Sequence, residues 1–153
     1  AYLLSLANTD NILSIDRSSG ELLAIYGEQG TPVSEESHSF SHAHDPQWLD
    51  NGHLLLFTTS STGLASGAVE YELRTDTDEL AEVWSYGMDD GPFALFLGQA
   101  TRLANGNTLV NFGAAGQIRE VTPEGHVVWQ ISLPGGQSFA QARLIDALPD
   151  SRP

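Results

Sequence analysis

One phrase occurs twice in this chain and restricts its fold more than any other feature. Residues 49–57 read Leu-Asp-Asn-Gly-His-Leu-Leu-Leu-Phe, and residues 103–112 read Leu-Ala-Asn-Gly-Asn-Thr-Leu-Val-Asn-Phe. Asn-Gly between two strand-like stretches is a strong hairpin signal, because both residues tolerate the positive φ of a type I′ turn. Each copy is followed by a second hairpin and by a strand bearing a tryptophan, Trp84 or Trp129. Repetition at this spacing points to a four-stranded unit used more than once.

Laid along the chain, the phrase divides it into units. The first complete unit spans 42–88 and the second 98–133. Residues 1–30 supply three further strands: Tyr2–Leu6, Asn11–Asp16 and Glu21–Gly27, with Ala24 where the other units carry Trp. A lone first strand is expected over 139–148, where Arg143-Leu144 echoes Arg102-Leu103. The expected fold is therefore all-β, a single β-propeller-type domain over 1–153. It has three four-stranded antiparallel blades, one of them split between the termini. Splitting a blade hides sheet edges that would otherwise stay open. Propellers usually have about 4–8 blades. Three blades leave two readings: a homodimer that completes a six-bladed ring, which is preferred because symmetric dimers are the commonest oligomers, or the C-terminal half of a longer propeller.

Composition removes several function classes. The chain carries 20 acidic residues against 6 basic ones, all of them Arg, for a net charge of −14. So acidic a surface repels phosphate backbones, which argues against nucleic acid as a partner. No apolar run reaches the roughly 18 residues of a membrane-spanning helix. There is no cysteine, hence no disulfide, thiol nucleophile or cysteine zinc site. The sequence begins at Ala1, so a processed N-terminus, or excision from something longer, is expected.

His38, His42, His44 and Asp45 form the densest cluster of chemistry-bearing side chains. On a regular strand, His42 and His44 would share one face. An imidazole there could act as a nucleophile, with Asp45 or a second His fixing its tautomer. Alternatively the pair could hold a transition metal, or simply line a polar loop. Arg102 and Arg143 stand at equivalent places, and the planar guanidinium fork suits tetrahedral oxyanions. Each could equally pair with an acidic neighbour. Trp48 falls in the register of Arg102, where it could flank an aromatic ligand or serve as packing. Asp76-Thr77-Asp78-Glu79 and Asp89-Asp90 suggest Ca²⁺ but lack an EF-hand spacing, and fit solvated turns.

Four phrases resemble the arylsulfotransferase (arylsulfate sulfotransferase) family of bacterial propellers: Leu4-Ser5-Leu6-Ala7-Asn8-Thr9-Asp10-Asn11-Ile12, Phe40-Ser41-His42-Ala43-His44-Asp45, Asn51-Gly52-His53-Leu54-Leu55-Leu56-Phe57 and Asn105-Gly106-Asn107-Thr108-Leu109-Val110. The resemblance runs from Tyr2 to Leu148 and corresponds to the C-terminal half of a family member. It implies a six-bladed, periplasmic or secreted protein that moves a sulfuryl group between phenols without a cofactor. A channel histidine carries the group in that family, helped by further histidines and an arginine. On this reading His44 is the carrier, with His42 and Arg102 at the sulfate oxygens. Trp48, Arg143 and Asp45 would contact an aryl sulfate or phenolic ligand. The positions matching His44 in the other units are Gly98 and Phe139, so one chain lacks the full histidine set. The alternative is a non-catalytic propeller used for binding or assembly.

Overall fold

A computed structural model describes residues 1–60 and 62–145. It contains eleven strands: β1 (Tyr2–Leu6), β2 (Asn11–Ile15), β3 (Leu22–Gly27), β4 (Ser41–Trp48), β5 (Leu54–Thr59), β6 (Ser66–Arg74), β7 (Glu79–Tyr86), β8 (Gly98–Arg102), β9 (Thr108–Phe112), β10 (Gln117–Val121) and β11 (Val127–Ser132). They form three antiparallel sheets: sheet I, β1-β2-β3; sheet II, β4-β5-β6-β7; sheet III, β8-β9-β10-β11. The only helical turn among the described residues is a single 3-10 turn at Gly113–Ala115. No helix among the described residues is long and apolar enough to cross a membrane.

The repeated phrase does build hairpins, but not with the expected turn. Leu49 N donates to His53 O and Gly52 N to Leu49 O, and Leu103 and Gly106 repeat both bonds with Asn107 and Leu103. Only the glycines are left-handed, at φ +83° for Gly52 and +87° for Gly106. This is a three-residue loop that ends in a left-handed bulge glycine, where type I′ would need positive φ at Asn as well. The asparagines instead turn their side chains back. Asn51 Oδ1 accepts from His53 N, and Asn105 Oδ1 from Asn107 N, both at 3.0 Å.

Sheet II lies between the other two, which explains the unbroken apolar run of β5. Leu54 and Leu56 point into a cluster with Ile12, Tyr26, Phe40, Val69, Tyr71 and Leu80. Leu55 and Phe57 point the other way, into Ala68, Ala100, Val110, Phe112 and Val121. Side chains of a strand alternate between faces, so a strand buried on both reads as continuous hydrophobicity. At the second seam the Phe57 ring lies edge-on to Phe112 at 5.6 Å. It also lies against Gly98, where a Cβ would sit 1.9 Å from the ring.

The outer faces of sheets I and III have no such cover. Tyr2, Leu4 and Leu6 on β1 are exposed, as are Trp129 and Ile131 on β11. The segment from Phe139 onward runs along sheet III, with Phe139 and Ala142 packed on Leu103, Leu109 and Ile118. Of the strand expected over 139–148, the described part, 139–145, is not in strand conformation. Residues 139–145 make no ladder, because the sheet lacking a first strand is sheet I, two sheets away; residues 146–148 lie outside the described residues. Ala142 N does donate to Gln99 Oε1 at 3.0 Å. The segment thus sits beside β8 much as β8 sits beside β4, where Gln47 Nε2 donates to Ala100 O at 2.6 Å.

The long connection between sheets I and II is braced by a histidine. His38 Nδ1 meets Glu82 Oε2 at 2.8 Å, and Glu82 also accepts from His38 N at 2.9 Å. Burial alone would lower the His38 pKa, but the Glu82 bond and charge, with Asp89 adding, outweigh it and raise the value above 6.5. Glu82 is pushed up by burial, yet bonds from Ser85 and His38 hold it below 4.5. The His38 contribution is complete below pH 6.5 and is lost as pH rises through the higher folded-state value. The Glu82 contribution is complete above pH 4.5 and is lost as pH falls through the lower folded-state value. The melting-temperature gap between the parent protein and His38→Gln is therefore expected to be widest between these limits and to narrow as pH rises above 6.5 through the folded-state value. A gap that grows with pH would overturn this account.

Candidate functional site

Strand β4 carries four of the candidate residues, and it is irregular. Its pairing with β5 runs Ser41↔Thr59, His44↔Phe57, Gln47↔Leu55, with a shift in each interval. Three residues of β4 thus span two of β5, twice. Each bulge holds a non-glycine residue in left-handed backbone, His42 at φ +53° and Asp45 at φ +49°. Bulges re-aim side chains, and they do so here. His42 is turned toward sheet I: its N–H donates to Asp10 Oδ1 at 2.7 Å, and its Nδ1 lies 3.0 Å from Ser41 Oγ. Ser41 Oγ in turn donates to Asp10 Oδ2 at 3.3 Å. His44 goes the other way. Its ring is 6.4 Å from Phe57, and Nε2 lies 3.4 Å from Leu95 O. A carbonyl only accepts, so this contact needs the hydrogen on Nε2. The expectation that both imidazoles share a face fails, because the bulge at His42 interrupts the alternation. Asp45 is exposed. No group of three His, Asp or Glu able to hold a metal occurs among the described residues.

Asp10 and Ser41 also border a cavity of ≈ 380 Å³ with Gly27, Glu28, Val33 and Phe40. Neither His42 nor His44 lines it.

Arg102 is committed elsewhere. Its Nη2 donates to Glu70 Oε2 at 2.5 Å, and its guanidinium lies 5.3 Å from the Trp84 ring centre. Glu70 is buried, its side chain 6% exposed. Its other oxygen meets His53 Nδ1 at 2.6 Å and Asn51 Nδ2 at 3.2 Å. Burial pushes the Glu70 carboxyl up, but the bonds from His53 and Asn51 and the Arg102 charge win and hold it below 4.5. This network ties β6 of sheet II to β8 of sheet III through the repeated phrase itself. Trp48 packs edge-on against Tyr26 of sheet I at 5.5 Å. With Gln47, Asn51 and Arg102 it borders a cavity of ≈ 410 Å³.

The second copy of the phrase repeats this network in part. Glu120 of β10 accepts from Asn105 Nδ2 at 3.2 Å and Asn107 Nδ2 at 2.6 Å, as Glu70 accepts from Asn51 and His53. Pairing puts Glu120 opposite Leu109 and Trp129, as Glu70 is opposite Leu55 and Trp84. Arg143 stands where Arg102 does. It borders an open cleft of ≈ 560 Å³ together with Glu120 and Trp129. Arg102 and Arg143 also share a cavity of ≈ 370 Å³ with Gln99 and Thr101. Sequence reasoning passed over Glu70 and Glu120. The available signal was a glutamate in the third strand of both units, in Ala68-Val69-Glu70 and Ile118-Arg119-Glu120, downstream of each Asn-Gly.

No family model matches the chain, and no curated protein matches it. Among solved structures it is similar to a protein of unknown function from Bacteroides caccae, with a TM-score of 0.48 and 13% identity over 88% of this chain. The chain spans 58% of that protein's chain.

Proposed function

We propose that this chain is a β-propeller-type binding and assembly module rather than a sulfuryl-transfer catalyst. Sheets I, II and III serve as successive blades in this reading. The observation that carries it is the commitment of Arg102 to Glu70 at 2.5 Å. A guanidinium neutralised by a buried carboxylate and stacked on Trp84 braces a seam between sheets and is not free for a sulfate. The divergence of His42 and His44 supports the same reading, since sulfuryl transfer needs the carrier and its helpers to converge on one group. A chromogenic aryl sulfate with a phenol acceptor tests it: no phenol release above the uncatalysed rate is expected. Release that disappears in His44→Ala would overturn the proposal.

The second reading is sulfuryl transfer through a histidine, as the family resemblance implies. The cavity bordered by both Arg102 and Arg143 favours it, because arginine suits an oxyanion. The same assay decides between the two.

A further inference from the structure

We infer that the cleft on the outer face of sheet III is an unfinished seam, and that a second copy of this chain completes it with its sheet I. The inference rests on the propeller reading above and names the partner. In the finished seam, Arg102 reaches from β8 to Glu70 and Trp84 of the preceding sheet. In the cleft, Arg143, Glu120 and Trp129 stand at the matching places around one space. The third apolar cluster, Leu103, Leu109 and Ile118 under Phe139 and Ala142, continues the series of the two buried ones. What the finished seam has and the cleft lacks is the next sheet. Asn111 on the same face is fully buried beneath the cleft, and neither atom of its side-chain amide has a partner. Buried polar groups without partners are rare.

Sheet I offers the complementary surface. Tyr2, Leu4 and Leu6 of β1 occupy the places of Leu54, Leu56 and Thr58 in sheet II and of Thr108, Val110 and Phe112 in sheet III. Those residues line the face that receives the preceding sheet. In sheet I this face is apolar and open, and the outer edge of β1 is unpaired. The segment 140–145 is the strand that edge lacks. Carrying over the pairings Gln99↔Asn111 and Thr101↔Leu109 sets Ala140 opposite Ser5, and Ala142 opposite Leu3, of the second copy.

Area decides between a closed pair and an open string. Strands of five residues are about 17 Å long and about 4.8 Å apart. One such seam therefore covers roughly 240 Å² of sheet I and 320 Å² of sheet III, about 560 Å² together. That lies within the range of incidental contacts, below about 800 Å², whereas the two seams of a closed pair bury about 1,100 Å² and pass the ~1,000 Å² that stable association needs. Six sheets in a ring also fall within the usual propeller range. Each copy carries −14, so the pair must overcome self-repulsion, and added salt should tighten it.

The absence of cysteine gives a clean test. Ser5→Cys and Ala140→Cys combined in one chain should form an interchain disulfide under mild oxidation, and neither single variant should. The parent protein should scatter light as twice 16.4 kDa at micromolar concentration, more completely in salt. Leu4→Arg, at an exposed site outside the chain's own core, should keep the strand circular-dichroism signal and weaken the pair roughly tenfold or more. A 16.4 kDa mass at all salt concentrations, a ladder of higher species, or no disulfide in a folded double variant would each overturn the inference. Aryl-sulfate turnover would sink the proposed function without moving these masses, and a monomeric mass would sink this inference without creating turnover.

Discussion

Glu70→Ala is expected to destabilise the protein by about 3 kcal/mol, because removing one partner of a buried charge network leaves the others uncompensated. Glu70 holds Arg102, His53 and Asn51 at once. Its loss leaves a guanidinium with the Trp84 face alone, and its Nε already has no acceptor. Arg102→Ala should cost less than Glu70→Ala. The Arg102 side chain is 26% exposed, and its removal leaves Glu70 with two donors. Urea unfolding midpoints measure both. Equal costs would overturn this ranking, and a Glu70→Ala cost under about 0.5 kcal/mol would mean that the network contributes little, as exposed ion pairs usually do. The effect should shrink in acid, because the Glu70 pKa is lowered on folding. Its contribution is complete above pH 4.5 and is lost as pH falls through the folded-state value.

Phe57→Ala should cost about 4 kcal/mol, the upper part of the range for a buried aromatic cut to alanine. Phe57 is fully buried, holds Phe112 edge-on and covers Gly98. Gly98→Ala should cost about 2 kcal/mol by overpacking, since the ring has Phe112 behind it and cannot retreat. The two changes occupy the same space, so the double variant should be more stable than the sum of the single costs implies. Additivity within about 0.5 kcal/mol in thermal or denaturant unfolding would show that ring and glycine are not in contact.

The strand order was legible in the sequence because period-two alternation and turn residues are local signals. Three, four and four strands were expected from Asn-Gly, Ser-Gly and Glu-Gly punctuation, and β1 to β11 follow that count. The run Leu54–Phe57 reads as an apolar strand, and the structure covers it on both faces. Three things were not legible. The turn at Asn51-Gly52 depends on which residue takes positive φ, and both readings permit the same dipeptide. The bulges at His42 and Asp45 have no glycine to mark them, so His-x-His suggested one shared face where the backbone makes two. The role of Arg102 was open because its partner, Glu70, is 32 residues away in sequence. A guanidinium at a repeated position suggests an anion, but only the tertiary fold tells a ligand's anion from a neighbour's carboxylate.

The middle position of sheet II has a consequence for how the protein comes apart. Sheets I and III each pack on sheet II rather than on one another, so either can detach without disturbing the opposite seam. Nearest-neighbour stability of this kind allows fraying from both flanks inward. The last region to open would then be β5, whose neighbouring residues belong to two different seams.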